Sequence, residues 1–364
     1  MVKRITTARD NRTGHTMRDI ASIVGVSQAT VSYVLSGKPG ARVSPETRRR
    51  VLEAAARVHY RPNAIARAMA SGRSRTIGVY QPHVSHSPLS GMWNTAVMRG
   101  IGEALHQRHF HLLLYGYRQQ DEPPPAAFLD GRVEGLIILA PHRDDLLPCE
   151  LARIGCPIAV IGGGEWEGAI SVDVDNREGG RLATQHLLKL GHTRIAHLMG
   201  PSDVPNAIDR RQGYEEALCE AGIPLQPEYL VPTGFDERSG YAGAKAVLSM
   251  TPRPTALFVA NDVAALGVLM ACIDLGLSVP GDVAVVGYDD SPICTLTRPT
   301  LTSIRQPAFQ LGQVAAESLL AMICDRSSAI RQHILPPELV VRDSCGGNRE
   351  TRAVVTYEEA MRDN

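Results

Sequence analysis

From Thr76 onward the chain alternates between short apolar runs and longer segments of helical spacing. The runs are TIGVY, FHLLLY, EGLIILA, PIAVIG, RIAHLM, ALFVA and DVAVVG, and between most of them lie patterns such as WNTAVMRGIGEALHQR and NREGGRLATQHLLKLGH. Runs that are apolar throughout, rather than at every second residue, belong to strands covered on both faces, and parallel strands need a crossover helix to bring the chain back. The alternation therefore predicts an α/β fold with parallel sheets covered by helices, and the number of runs calls for two sheets. A ligand of such a fold sits beyond the carboxyl ends of the strands.

The first 75 residues read differently. Ile20, Ala21, Ile23 and Val24 give a short amphipathic helix that Gly25-Val26 breaks, and Ser27 stands where the cap of a second helix belongs. Val31, Val34 and Leu35 repeat on the face of that second helix turned toward the first, which leaves Gln28, Ala29, Thr30, Ser32 and Tyr33 on the other. Two helices turning sharply on a glycine, the second with a small polar outer face, form a helix-turn-helix or an ordinary core hairpin. Charge decides between them. The chain carries 38 Lys/Arg and 38 Asp/Glu and is formally neutral, yet residues 1–75 hold 15 basic and 4 acidic side chains and the remainder is correspondingly acidic. A polycationic segment around a helix-turn-helix is what neutralisation of duplex phosphates requires.

Residues 1–15 lack periodicity and read as a flexible basic arm. The loop SGKPGAR follows the second helix, and Ser44-Pro45-Glu46 opens a third with Val51, Leu52, Ala55 and Val58 as its stripe, closing a helical domain over residues 16–61. Residues 62–75, which include Asn63, Ala64, Ala68 and Met69, give a helix of barely two turns after Pro62 and then a linker. So short a helix needs a partner, either a symmetry mate or a DNA minor groove, or else the stretch is an Ala-rich linker. No apolar run at the N-terminus matches a signal peptide and none approaches a membrane span, so a cytoplasmic protein is expected. The seven cysteines are scattered without a C-x-x-C pair, which suggests buried free thiols and no metal site.

Four positions at predicted strand ends carry groups suited to a polar ligand. Arg210 lies just inside the helix after RIAHLM, Phe235 begins a helix, and Asn261 stands between ALFVA and a helix that Asp262 is placed to cap. Asp289 follows DVAVVG directly. Arg, Asn and Asp supply donors and acceptors for hydroxyls or a heterocycle, and an aromatic ring supplies a flat wall. The run Gly162-Gly163-Gly164-Glu165-Trp166-Glu167 fails the dinucleotide pattern at its last glycine. With no P-loop and no nucleophile elbow either, neither an enzyme nor a cofactor is indicated.

The segments DIASIVGVSQATVSYVLSG, VSPETRRRVLEAA, YRPNAIARAM, VDVDNREGGRLATQHLLKLGHTRIAHLMG, RRQGYEEAL, ANDVAALGVL, VPGDVAVVGYDD and LTSIRQP occur in the order found in bacterial regulators of the lactose-repressor (LacI/GalR) type. The resemblance runs from about Thr16 to Ser344. It implies a homodimer or tetramer with a DNA-binding headpiece, a hinge helix, and an effector and dimerisation domain over 76–345 built like periplasmic sugar-binding proteins. Carried over by position, base-reading residues fall on Gln28, Ala29 and Tyr33, and phosphate contacts on Ser27, Thr30, Ser32, Ser44 and Thr47. Asn63, in the matching hinge, is a further DNA-binding position, and Met69 stands where the family's wedge is usually leucine. Effector contacts fall on Arg210, Phe235, Asn261 and Asp289. The implied N-subdomain is 76–174 with 304–328 and the C-subdomain 175–303 with 329–345, with crossings near Val174, Ser303 and Ser328. Residues 346–364 form an extra tail. The function implied is an operator-binding repressor controlled by a small carbohydrate. A sugar-binding protein without DNA function and a purine-type, corepressor-dependent regulator are the alternatives.

Overall fold

The computed structural model describes residues 15–36, 43–61, 68, 72–82, 91–116, 124–324 and 331–347. The expected basic arm, most of the hinge segment with Asn63 and Met69, and the tail from 348 lie outside them. The chain divides into two units, residues 1–74 and 75–364.

In the first unit, α1 (Met17–Val24), α2 (Gln28–Ser36) and α3 (Pro45–Arg57) enclose a small core of Ile20, Ala21, Val24, Val31, Val34, Val51, Ala54 and Ala55. Thr16 and Asp19 form a capping box at the start of α1, and Gly25, at φ 75°, ends it with its N–H donating to the Ala21 carbonyl. Arg50 reaches across from α3 to donate to the Val24 carbonyl at 2.7 Å, satisfying a backbone oxygen that the end of α1 leaves open. Of the expected stripes, Leu35 and Val58 pack partly buried against this core, and two residues are exposed. Ile23 is 44 % and Leu52 48 % exposed, because three short helices touching along narrow seams cannot cover a wide stripe.

The second unit begins with β1 (Thr76–Tyr80), α4 (Met92–Gln107), β2 (His111–Tyr115), β3 (Gly135–Leu139), α5 (Leu147–Arg153), β4 (Ile158–Ile161) and β5 (Ile170–Val174). It continues through α6 (Asn176–Lys189), β6 (Ile195–Leu198), α7 (Pro205–Glu220), β7 (Leu230–Val231), α8 (Glu237–Leu248) and β8 (Ala256–Val259). Last come α9 (Asp262–Asp274), β9 (Ala284–Asp289), α10 (Ile293–Leu296), β10 (Thr302–Arg305), α11 (Ala308–Cys324), β11 (Gln332–Leu335) and β12 (Glu338–Val340). The strands form two six-stranded sheets, ordered β11-β5-β4-β3-β1-β2 and β12-β10-β9-β8-β6-β7. All neighbours are parallel except β12, which runs antiparallel to β10. Each sheet is packed on both faces, as the uninterrupted apolar runs require.

The chain passes from one lobe to the other after Val174, between Arg305 and Ala308, and at Pro336-Pro337. The last passage differs from the expectation near Ser328, a residue outside those described. Residues 332–335 still belong to the first sheet, where β11 pairs with β5 and the Arg331 carbonyl accepts from the Ser171 N–H. The strands Ile170–Val174, Thr302–Arg305, Gln332–Leu335 and Glu338–Val340 are not among the apolar runs, because each mixes polar residues into the strand or lies at a sheet edge. The cysteines also depart from expectation: Cys272, Cys294 and Cys345 are buried, Cys149 and Cys156 half-buried, and Cys219 and Cys324 exposed. Among the described residues no helix is long and apolar enough to cross a membrane.

Candidate functional site

The polar groups singled out at strand ends gather at the carboxyl edge of the second sheet. Arg210 sits in the second turn of α7, where the helix presses against α6. A Cβ on Gly180 would lie 2.1 Å from the Arg210 carbonyl oxygen, so only glycine permits this approach. The Arg210 side chain is 4 % exposed. Its Nε donates to Asn176 Oδ1 at 2.9 Å, its Nη1 to the Ala260 carbonyl at 2.5 Å, and its guanidinium carbon lies 3.7 Å from the centre of the Tyr288 ring. A buried cation thus gains hydrogen bonds and a π face in place of water.

Asn261 caps α9, its Oδ1 accepting from the Ala264 N–H at 2.8 Å, while its Nδ2 donates to the Phe235 carbonyl at 3.0 Å. The cap expected at Asp262 therefore belongs to Asn261. Asp262 is the first helical residue and wholly buried, and it accepts from Ser303 Oγ at 2.6 Å and the Ser291 N–H at 2.7 Å. Phe235 precedes α8, whose cap is Asp236, instead of beginning that helix. Its ring lies 5.8 Å from the Arg210 guanidinium and closes over Gly200, where a Cβ would meet it at 2.6 Å.

Asp289 is the last residue of β9, half-buried, with φ at 113°, a conformation that side chains other than glycine's adopt only under strain. Its Oδ1 accepts from Gln306 Nε2 at 2.5 Å. Burial first, and then the charge of Asp262, push its carboxyl up to about 7, against the pull of Arg210 and Gln306. Arg210, Phe235 and Asn261 thus form one cluster, and Asp289 joins it through Tyr288, its neighbour in the chain. Asn176, Tyr288 and Gln306 belong to the same constellation and were not singled out. VVGYDD carries Tyr288 next to Asp289 and LTSIRQP carries Gln306 within a segment of the resemblance, but nothing in a sequence says that Asn176 meets Arg210, 34 residues away.

The other lobe reaches this cluster through Asp173, near the end of β5 and 5 % exposed. Its Oδ1 accepts from the Val174 N–H (2.8 Å), Asn176 Nδ2 (3.1 Å) and Asn206 Nδ2 (3.4 Å), and its Oδ2 from the Gly164 N–H (3.3 Å). Asn206 Oδ1 in turn accepts from the Gly163 N–H at 2.9 Å. Nearby, His142 and Asp203 bridge the lobes at 3.1 Å. Among the described residues, no group of three His, Cys, Asp or Glu side chains is arranged to hold a metal ion.

In the first unit Ser27 and Ser44 cap α2 and α3, accepting from the Thr30 and Thr47 N–H groups, both at 3.1 Å. Gln28, Ala29 and Ser32 are exposed, Tyr33 is 49 % exposed, and Thr30 and Thr47 are half-buried. The face expected to read a groove is turned outward.

A three-helix unit with an outward polar second helix, in one chain with two parallel-sheet lobes that meet at a buried polar cluster, defines the helix-turn-helix regulators that carry a periplasmic-binding-protein-like domain. Residues 16–63 match the bacterial regulatory proteins, lacI family, and residues 184–345 a periplasmic binding protein-like domain. The chain is 36% identical over 92% of its length to the HTH-type transcriptional regulator CelR of Thermobifida fusca, 99% of which is covered. It is 33% identical over 84% of its length to catabolite control protein A of Priestia megaterium, 91% of which is covered. Among solved structures, a lac repressor dimer bound to operator and the anti-inducer ONPF superposes with a TM-score of 0.79 at 29% identity, covering 91% of this chain and 99% of that one. A CelR–cellobiose complex gives 0.71 at 33% identity, with coverage of 91% and 99%. The chain belongs to the lacI family of bacterial regulatory proteins and is a DNA-binding transcription regulator.

Proposed function

We propose that the protein represses its target genes as a homodimer on a pseudo-palindromic operator, and that a small carbohydrate in the cleft between the lobes sets its affinity for that operator. The observation that carries this reading is the cluster of Arg210, Asn261, Asp289 and Phe235 at the carboxyl ends of the second sheet. It offers a bidentate donor, an amide, a carboxylate and an apolar ring, the set that grips the hydroxyls and the flat face of a sugar ring. Relatives crystallised with cellobiose and with ribose support the choice of ligand class. Gln28 and Tyr33 read base edges, Ala29 offers a methyl contact to thymine, and Ser27, Thr30, Ser32, Ser44 and Thr47 engage the backbone. Asn63 and Met69 act in the hinge, with Met69 as the minor-groove wedge.

Effector binding changes operator affinity by the difference in its affinity for the two lobe arrangements. The test joins a thermal-shift screen against sugars and nucleosides with footprinting on the DNA upstream of the protein's own gene. A sugar that raises the melting temperature and alters a protected palindrome supports the reading. A response to purines alone assigns a corepressor instead, and equal binding to random and native DNA overturns operator recognition.

A further inference from the structure

The Asn176 side chain hydrogen-bonds to both Asp173 and Arg210. Its amide is saturated: Nδ2 donates to Asp173 Oδ1 and to the Val174 carbonyl, both at 3.1 Å, and Oδ1 accepts from Arg210 Nε and, at 3.2 Å, from the Tyr288 hydroxyl. An amide turned over would present its NH2 to the guanidinium and would point its oxygen at a carboxylate, so Asp173 and the Val174 carbonyl fix the orientation that Arg210 needs. The same carboxylate accepts from the Gly164 N–H of the first lobe and from Asn206 of the second. We propose that Asp173 is a positioning residue that ties the junction between the lobes to Arg210 through the Asn176 amide, so that lobe arrangement and the ligand-reading guanidinium are set together. This rests on the reading of Arg210 as an effector contact.

The arrangement works only while Asp173 is an acceptor at every one of these contacts. Burial pushes its carboxyl up to about 6, against the hydrogen bonds from the Val174 and Gly164 amides. The charged groups facing it are Arg210 and Asp209, both on α7, with opposite effects, and Asp209 is itself raised by burial and by Asp175. Protonation places a hydrogen on an oxygen that now faces only donors, which weakens the hold on Gly164, Asn206 or Asn176.

The test needs neither DNA nor a ligand. In the full chain the Arg210 Nε–H resonance, assigned by its loss in Arg210→Lys, and amide exchange at Gly164, corrected for the intrinsic rate, are followed from about pH 5 to about pH 7.5. Both are expected to titrate together with a midpoint near 6, Gly164 losing protection on the acid side, and both are expected to be flat in Asp173→Asn. If that variant does not fold, Asp209→Asn serves in its place, and there the midpoint must survive. A flat profile in the native chain, a midpoint that persists in Asp173→Asn or vanishes in Asp209→Asn, or protection that rises with acid overturns the proposal. Since no effector is added, such a result leaves the regulator reading standing, whereas a failed ligand screen removes the ligand from Arg210 and leaves the linkage of Asp173 to that side chain intact.

Discussion

At the scale of single residues the cleft separates two tasks, and substitution should separate them too. Asp289→Ala removes an acceptor whose carboxylate is held by Gln306, so operator binding is expected to persist while effector affinity falls about 10- to 100-fold, the worth of a charge-assisted hydrogen bond. Titration calorimetry beside a gel-shift assay checks both. Equal loss of the two activities would point to misfolding. The raised carboxyl of Asp289 makes a second prediction. Its value in the fold, about 7, lies above that of an unfolded chain, so its contribution to stability is full in acid and fades as pH rises through neutrality. A hydroxyl that donates to the carboxylate selects the ionised form. Effector affinity should therefore climb with pH up to about 7, with protons released on binding below it, and Asp289→Asn should flatten the profile. Runs such as ALFVA and DVAVVG made the strand-end positions legible in the sequence, because a buried strand announces its own end. The identity of the cap at α9 was not legible, since Asn261 and Asp262 are both good caps by composition. Only the packing of Ser303 and Ser291 around Asp262 tells them apart.

At the scale of elements the glycines between helices carry as much consequence as the side chains. Gly180→Ala would drive a methyl into the Arg210 carbonyl at 2.1 Å, so α6 and α7 must part. The prediction is a loss of about 1–3 kcal/mol, as for other overpacked cores, accompanied by weakened effector binding although the residue touches no ligand. Denaturant unfolding and calorimetry together test this. In the headpiece the opposite pairing holds. Gln28→Ala and Tyr33→Ala alter exposed side chains and should leave stability within about 0.5 kcal/mol. They should nevertheless cost about 1–3 kcal/mol of discrimination between operator and random duplex, as competition footprinting would read. The turn of α1 into α2 and the start of α3 were legible because Gly25, Ser27 and Ser44-Pro45 mark them, whereas the capping box of Thr16 and Asp19 at the start of α1 went unread. The strands at the lobe junction were not, because polar residues such as Asp173 and Ser303 interrupt the apolar pattern where the cleft needs them.

At the scale of the whole molecule the charges are divided between a cationic first fifth and an acidic remainder. Binding should weaken steeply with salt, by about 10³ between about 50 and 200 mM for six or more neutralised phosphates. A gel-shift series measures the slope, and a shallow one would mean that fewer cations meet the backbone than the count of 15 basic residues in the first 75 suggests. The division also explains why formal neutrality says nothing of the partner: the sum cancels what the distribution reveals.

The passage at Pro336-Pro337 gives one short piece of chain two duties. Residues 332–335 form the edge strand of the first sheet, covering β5, and residues 338–340 that of the second, covering β10. On the ribosome, each nascent chain that has not yet emerged past residue 340 leaves β5 and β10, inner strands of the finished sheets, without their outer partners at once. Neighbouring copies on one message could pair through them, so the interval before this piece is released is the time of greatest risk of misassembly during synthesis.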